Sequence, residues 1–166
     1  MKMAFIGIIA DEANENWMKK KLKDQLQVSE SSILFIKEKS IENIKNIKFE
    51  TVLLAREFKN IEVFKKLLEG TKYLVVNSDI ANNLNILDNL ELTVITYGFN
   101  SKATITASSV TEDTMLLCVQ RNIQDIKHRT IEAQEISVDI EADSEKQVSY
   151  RMGVETILLL YGKIIS

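Results

Sequence analysis

Five short apolar runs, separated by polar stretches with helical spacing, restrict this 166-residue chain to an α/β fold. Each run is continuous and rich in β-branched residues, which is typical of strands covered on both faces of a parallel sheet. The runs are Met3–Ile9, Ile33–Ile36, Thr51–Ala55, Tyr73–Asn77 and Leu92–Tyr97. The polar stretches predict helices at about 14–27, 40–47, 60–69 and 80–88. This alternation predicts a three-layer α/β core, a parallel sheet flanked by helices, over residues 1–100.

Two residues mark predicted ends of these helices. Gly70 follows the third helix and stands where a C-cap glycine is expected. Asp79 precedes the fourth helix, and its carboxylate is of the kind that caps a helix N-terminus. In the first helix, the run Lys19–Lys23 is predicted to supply the solvated face. The residues of that helix predicted to face the core are Trp17, Met18, Leu22 and Leu26.

The pattern changes after Phe99, where polar and apolar residues begin to alternate. The alternating segments are Ala103–Val110, Met115–Arg121 and Ile131–Ile140. They predict three antiparallel strands with one wet face, forming a small sheet separate from the first over residues 101–141. Helical spacing then returns and predicts a C-terminal helix over residues 142–166. The whole chain, residues 1–166, is predicted to form one domain.

The composition argues against several classes of partner. A net charge of −3 and a pI near 5.3 disfavour nucleic acid, because phosphate binding needs a basic surface. No apolar run approaches the ~20 residues that a membrane-spanning helix needs. The one cysteine, Cys118, permits no internal disulfide, which favours a reducing compartment. We therefore expect a cytoplasmic protein that binds neither nucleic acid nor a membrane.

The loop between the first strand and the first helix stands where a phosphate-binding loop belongs but lacks its residues. It has no glycine after Gly7 and no lysine before Lys19, and it carries the carboxylates of Asp11, Glu12 and Glu15. Glycines let backbone N–H groups close around phosphates, and a lysine meets their charge, whereas carboxylates repel them. We therefore predict no nucleotide bound through this loop and no cofactor. The alternative role of Asp11 and Glu12 is to cap and stabilise the first helix.

Three places resemble the central, ATP-binding domain of the Mur ligases, the amide-forming enzymes that include the muramyl-peptide and folylpolyglutamate synthetases. Val75–Asp79 is similar to the family's strand that ends in Asn-x-Asp-Asp. Val94–Asn100 resembles the following strand, which ends in a Tyr/Phe-Gly pair and leads into a small antiparallel sheet. Lys146–Ile164 occupies the place of the family's helix after that sheet. The resemblance covers most of the chain in element order and is close only over residues 73–100.

The resemblance implies a nucleotide-binding region in which Asn77 and Asp79 lie near the base. Asn77, Asp79, Tyr97 and Asn100 are therefore the candidate ligand-binding residues, since open α/β sheets place ligands at the carboxyl ends of their strands. The alternative is structural. In that case Asn77 caps a strand end, Asp79 caps a helix, and Gly98 supplies a positive φ in a turn between the two sheets.

The chain departs from the family at the positions that carry catalysis. The family's phosphate loop, Gly-Thr-Asn-Gly-Lys-Thr, should follow Ile8, and Ala10–Glu15 does not match it. The family's metal-binding glutamate and histidine should precede Asn77, where this chain has no histidine and offers only Arg56–Phe58. Ala142–Glu145 replaces the family's Gly-x-His-Asn signature, and the C-terminal acceptor domain is expected to be absent. Ligation through an acyl phosphate needs triphosphate, Mg²⁺ and an acceptor site, so no catalytic residue is predicted.

No other residue pattern predicts chemistry. His128 is the only histidine and lies in a predicted loop, so it forms neither a catalytic pair nor a metal cluster. Cys118 lies within a predicted strand and has no neighbouring base in sequence to activate its thiol. The carboxylates of the first loop bind a cation only with further ligands, which the sequence does not place. No metal site is predicted.

The leading hypothesis is a non-catalytic, Mur-ligase-like domain that binds a protein or a small ligand and forms a homodimer. The segment Ile157–Ser166 is apolar on nearly every side, and an uncovered apolar helix face favours a symmetric dimer. The alternative is a helix buried between the two sheets. The second hypothesis, from another class, is a nucleotide or nucleotide-sugar binding protein that uses the strand ends near Asn77. The third is an enzyme completed by a partner subunit.

Overall fold

The structure, a computed structural model, describes residues 4–44, 46–140 and 145–164. The strands are β1 (Phe5–Ile9), β2 (Ile33–Phe35), β3 (Phe49–Leu54), β4 (Tyr73–Asn77), β5 (Thr93–Tyr97), β6 (Ile105–Val110), β7 (Thr114–Val119), β8 (Ile123–Gln124), β9 (Thr130–Ile131) and β10 (Gln134–Asp139). The helices are α1 (Glu12–Leu26), α2 (Ile61–Leu67), α3 (Ala81–Leu84) and α4 (Glu145–Leu160), with 3₁₀ helices at Glu30–Ser32 and Glu38–Asn43.

The first five strands form a parallel, doubly wound core. The strand order of the eight-stranded sheet is β10-β7-β6-β5-β4-β3-β1-β2. Its parallel part therefore follows the order 2-1-3-4-5, which is common in doubly wound folds. Each neighbouring pair in this part is parallel. The predicted α/β class and the parallel core are confirmed.

Two predicted helices are shorter in the structure. The segment at about 40–47 was expected to be α-helical, but a 3₁₀ helix forms at Glu38–Asn43, and Lys45 lies outside the described residues. The helix predicted at about 80–88 covers only Ala81–Leu84. Asparagine side chains compete with the helix for backbone groups, and this segment is rich in them, which lowers its helix propensity.

The residues predicted for the other helices lie close to their expected places. Gly70 follows α2 and has a φ of +82°. Glycine adopts this left-handed angle without strain, and for that reason it is common just after a helix C-terminus. In α1, Met18, Leu22 and Leu26 are buried, and Trp17 is half-buried against the same core. The periodicity of α1 therefore identified its inner face.

The three alternating segments form antiparallel strands, but these strands belong to the main sheet. β6 lies beside β5, with Tyr97 and Ile105 as parallel partners, and β7 and β10 follow in antiparallel pairing. The Gly98 N–H donates to the Ile105 carbonyl oxygen at 3.0 Å, which keeps the sheet continuous after β5. The prediction of a separate three-stranded sheet is wrong in this respect. The separate small antiparallel sheet is the hairpin of β8 and β9.

Helices cover the two faces of the parallel sheet. On one face, α1 and α4 pack over a core that includes Ile8 and Val75. On the other face, α2 packs through Phe64 over a second core that includes Val52. On β10, by contrast, alternate residues such as Glu135 are exposed, as predicted for strands with one wet face.

The C-terminal helix α4 is buried within the chain. Residues 152–160 are all buried, in a core shared with α1 and the main sheet, and isoleucines of the β8–β9 hairpin pack against that core. Each leucine buried there contributes roughly 1.5–3 kcal/mol relative to exposure. The described part of α4 therefore leaves no uncovered apolar face, which removes the argument for a dimer through it. The homodimer itself stays a prediction, and residues 142–144 and 165–166 lie outside the described residues.

Among the described residues, no helix combines the length and the apolar character that crossing a bilayer requires.

Candidate functional site

The carboxyl ends of β1, β3, β4 and β5 meet at one edge of the parallel sheet, which we call the strand-end edge. The direction of strand order reverses between β1 and β3, and doubly wound folds bind ligands at such a switch point. Asp11 follows β1, Arg56 follows β3, and Asn77 ends β4 with Asp79 two residues beyond. The structure therefore brings the sequence-predicted residues to the edge where a ligand is expected.

Asn77 uses both ends of its side-chain amide for bonds within the chain. Its Oδ1 accepts from the Asp79 N–H at 3.0 Å, and its Nδ2 donates to the Ser149 Oγ of α4 at 3.1 Å. The residue is buried, and its carbonyl oxygen accepts from the Nδ2 of Asn83 at 3.2 Å. Asn77 therefore closes the end of β4 and ties it to α4, in agreement with its structural alternative.

Asp79 joins the loop after β4 to the loop after β5. Its Oδ2 accepts from the Phe99 N–H at 2.7 Å, and its Oδ1 accepts from the Asn100 N–H at 3.1 Å and the Asn100 Nδ2 at 2.6 Å. Gly98 is needed because a Cβ there would lie 2.6 Å from the Asp79 Oδ1. Its φ of +157° is positive, as the structural alternative expected.

The prediction that Asp79 caps a helix is wrong. Ile80 occupies the N-cap position of α3, and no side chain caps that helix. The Asp79 carboxylate bonds to the β5–β6 loop because that loop presents two backbone N–H groups within hydrogen-bond distance, and a carboxylate bonds strongly to such donors.

Tyr97 is a core residue and does not face the crevice. Its ring and hydroxyl are fully buried, and burial holds the pKa of the hydroxyl well above its usual value. Its Oη has no hydrogen-bond partner among the described residues. The Oη lies against α4, where a Cβ added to Gly153 would come within 2.9 Å of it. A ligand at the strand-end edge has no access to Tyr97 in this arrangement.

The first loop contributes Asp11 to the strand-end edge. The Asp11 Oδ1 lies 3.6 Å from the Arg56 Nη1, and the Asp11 N–H donates to the Tyr150 Oη at 3.3 Å. Burial and a hydrogen bond with the Asp11 side chain raise the pKa of Tyr150 to about 12, although the bond from the Asp11 N–H acts in the opposite direction. Asp11 holds the N-cap position of α1, but its side chain makes no capping hydrogen bond. The predicted capping by its carboxylate is therefore wrong, because that group faces Arg56 instead.

Glu12 is paired with Lys37, which lies two residues after β2. Its carboxylate forms an ion pair with Lys37, and the hydrogen bond between them lowers the pKa of Glu12 and raises that of Lys37. Both side chains are largely exposed to solvent, so the pair adds little to stability. The pair does place the Glu12 carboxylate against Lys37, the cation that would otherwise be available to a phosphate.

Sequence reasoning missed the contribution of α4 to this edge. Ser149, Tyr150 and Gly153 reach the strand ends from one helix, and Ser149 and Gly153 share a face because they are four residues apart. Two small residues at this spacing in an apolar helix are a sign of close backbone approach. The spacing is visible in the sequence, but the strand that it approaches is not.

The other residues with possible chemistry lie apart from the strand-end edge. Cys118 is half-buried in β7, and His128 is exposed in the β8–β9 turn with a φ of +62°. The buried Asp125 organises that turn, because its Oδ1 accepts from the Lys127 and Arg129 N–H groups at 2.8 and 2.9 Å. No group of three or more His, Cys, Asp or Glu side chains with metal-binding geometry occurs in the described residues.

Three cavities of about 560, 430 and 320 Å³ lie elsewhere on the molecule. The largest lies between the β8–β9 hairpin, β10 and the end of α4. The second is lined by charged residues such as Lys21 and Arg151, and the third by residues that include Lys48 and Lys66. The residues of the strand-end edge line none of these three cavities.

Comparison with known proteins gives no family to which the chain can be assigned. No protein-family model matches it, and no curated protein matches it significantly. The function is therefore argued from the geometry of the chain itself.

Proposed function

We propose that this protein is a non-catalytic domain that acts by binding a partner protein. Its resemblance to the central domain of the Mur ligases is carried by residues 73–100 and loses the support of a separate antiparallel sheet, because β6 joins β5 in the main sheet. One observation carries the proposal: the polar groups of the strand-end edge bond to one another rather than facing an open crevice. A ligand at this edge has to displace those bonds and leave polar or charged groups without partners, which costs free energy.

The charges at the strand-end edge also oppose a phosphate. Arg56 and Lys37 lie beside the first loop, and each of these basic side chains is next to a carboxylate, Asp11 and Glu12 respectively. Phosphoryl transfer needs cations directed at the phosphates and a bound Mg²⁺. The proposal therefore gives this edge no nucleotide, metal or catalytic role, and a partner protein needs no crevice there.

Calorimetric titration with nucleotides tests the proposal. ATP with MgCl₂, ADP and a uridine diphosphate sugar are titrated separately into the full chain, and we expect no binding tighter than about 1 mM for any of them. The matched variant is Asn77→Ala, which removes the amide that a base-contacting site would use. A micromolar Kd that this variant weakens about tenfold or more contradicts the proposal and supports the nucleotide-binding hypothesis.

A further inference from the structure

The strand β10 lies at the edge of the main sheet. It pairs with β7 on one side, and no described strand pairs with it on the other. Native proteins often protect such an edge with lysine, proline or a bulge, and Gln134–Asp139 contains neither residue and pairs without a bulge. The Asp139 carbonyl oxygen is bonded by the Arg151 Nη2 at 2.9 Å. The outer side of Gln134–Val138 therefore offers backbone groups for a further strand.

The cavity between the β8–β9 hairpin and the end of α4 lies directly beside this strand. It has a volume of about 560 Å³, and Gln134 and Ile136 of β10 form part of its wall. The rest of the wall is partly apolar and partly charged, and includes Ile131, Leu159, Ile164, Asp125, Arg129 and Glu132. A strand that adds to β10 carries alternate side chains on the same face as Ile136, so these side chains reach the cavity. Strand addition combined with side-chain pockets is a known mode of peptide recognition.

The opposite face of β10 carries two acidic residues, of which Glu135 is the one away from the second cavity and Asp139 lies beside Lys21 and Arg151 there. Glu135, Ser137 and Asp139 share that face because they alternate along the strand, and all three are exposed. The Glu135 carboxylate also accepts from the Ser108 Oγ at 3.2 Å, which leaves its second oxygen open to a cross-strand partner. Opposite charges placed directly across two strands stabilise the pairing, and like charges destabilise it. This face therefore favours basic residues in an added strand.

We propose that β10 and the adjoining cavity bind an extended segment of a partner protein, which adds to the sheet with apolar residues on the cavity face and basic residues on the opposite face. The inference rests on the proposed function, because it names the surface and the chemistry of the partner. A second copy of this chain fits less well. Pairing of two β10 strands places Glu135 and Asp139 of both copies on one face, where their charges repel.

A short synthetic peptide of alternating valine and lysine tests the proposal, with binding followed by fluorescence anisotropy. We expect a Kd of about 0.1 mM or tighter, and at least tenfold weaker binding for a peptide of alternating valine and glutamate. Two N-methylated forms separate strand addition from simple charge attraction. One is methylated at every valine nitrogen and the other at every lysine nitrogen. Only one set of N–H groups faces β10, so one form loses binding and the other keeps it.

Protein variants test the same site without disturbing the core. Glu135→Lys and Asp139→Lys change exposed residues and are expected to weaken the valine–lysine peptide roughly fivefold each and to strengthen the valine–glutamate peptide. The matched control is Glu62→Lys, an equal charge change at an exposed residue of α2. It is expected to change the affinity for either peptide less than twofold, because screening limits distant surface charges.

Three results of the peptide experiments overturn the inference. These are no binding of the valine–lysine peptide at about 1 mM, equal binding of both N-methylated forms, and equal effects of Glu135→Lys and Glu62→Lys. The inference is also overturned if sedimentation shows a dimer that Glu135→Lys strengthens, because β10 then pairs with a second copy of the chain. None of these outcomes affects the part of the proposed function that excludes nucleotide from the strand-end edge, which fails if a nucleotide binds there.

Discussion

Asp79 and Asn100 are joined by two hydrogen bonds to one oxygen: the backbone N–H of Asn100 lies 3.1 Å and its side-chain Nδ2 2.6 Å from the Asp79 Oδ1. These residues are 21 positions apart and belong to the loops after β4 and β5. The pair therefore fixes two loops of the strand-end edge against each other. The same two residues were candidates for ligand contact, and the structure directs their polar groups towards each other.

Asp79→Asn is expected to destabilise the fold by about 1 kcal/mol. The substitution replaces one carboxylate oxygen with an amide that donates, so it faces the N–H of Phe99 or Asn100 without accepting from it. The cost is limited because Asp79 is exposed. Urea unfolding measures the change, with Asp88→Asn, another exposed aspartate after α3, as the control. Equal stability of the two variants contradicts a role for Asp79 in joining the loops.

Tyr97→Phe is expected to leave stability unchanged or to raise it by about 1 kcal/mol, because the buried Tyr97 Oη has no partner among the described residues. Gly153→Ala is expected to cost about 1 kcal/mol or more, since its Cβ comes within 2.9 Å of that Oη. The double variant should cost less than the sum of the two. A double-mutant cycle by urea unfolding measures the coupling. A large loss of stability in Tyr97→Phe alone shows that the hydroxyl is bonded and contradicts this account.

Leu158→Ala is expected to destabilise the fold by about 2–5 kcal/mol, because Leu158 is 2% exposed within α4 and its removal leaves a cavity. Leu84→Ala is the control, since Leu84 is 45% exposed, and its cost should be below about 0.5 kcal/mol. The loss in Leu158→Ala should not depend on protein concentration, because α4 is covered by its own chain. If the unfolding midpoint of the unchanged chain rises with protein concentration, and that of Leu158→Ala rises less, then α4 lies in a dimer interface and this account is contradicted.

Stability is expected to fall in alkali partly through Tyr150. Its pKa is raised from 10.0 to about 12 in the folded chain, so the folded state retains a proton that the unfolded state loses between these values. The contribution of Tyr150 is therefore fully present below about pH 10 and is lost as the pH rises towards 12. Tyr150→Phe should lose less stability than the unchanged chain between about pH 8 and pH 11.5 in urea unfolding. Equal losses in both chains contradict the environment described for Tyr150.

The parallel core was predictable because its strands are continuous β-branched runs, and such runs occur where both faces are covered. The place of β6 was not predictable, since alternation shows that a strand has two unlike faces but not which strand it pairs with. Asn77 and Asp79 were correctly placed at strand ends, yet their partners were not. Ser149 lies 72 positions from Asn77, and local sequence carries no signal of a contact over that distance. The length of α3 was predicted incorrectly for a local reason: the apolar spacing indicated a helix over about 80–88, and the low helix propensity of its asparagines was not considered.

The central claim is that the strand-end edge is occupied by the chain's own bonds and does not bind nucleotide. The most direct test is a series of ¹H–¹⁵N correlation spectra of the full chain recorded while ATP and MgCl₂ are added. The account predicts no saturable shift at the amides of Asp11, Asp79, Phe99 or Asn100 up to about 5 mM nucleotide. Saturable shifts at these amides, with a common Kd below about 1 mM, would contradict it and place a nucleotide at this edge.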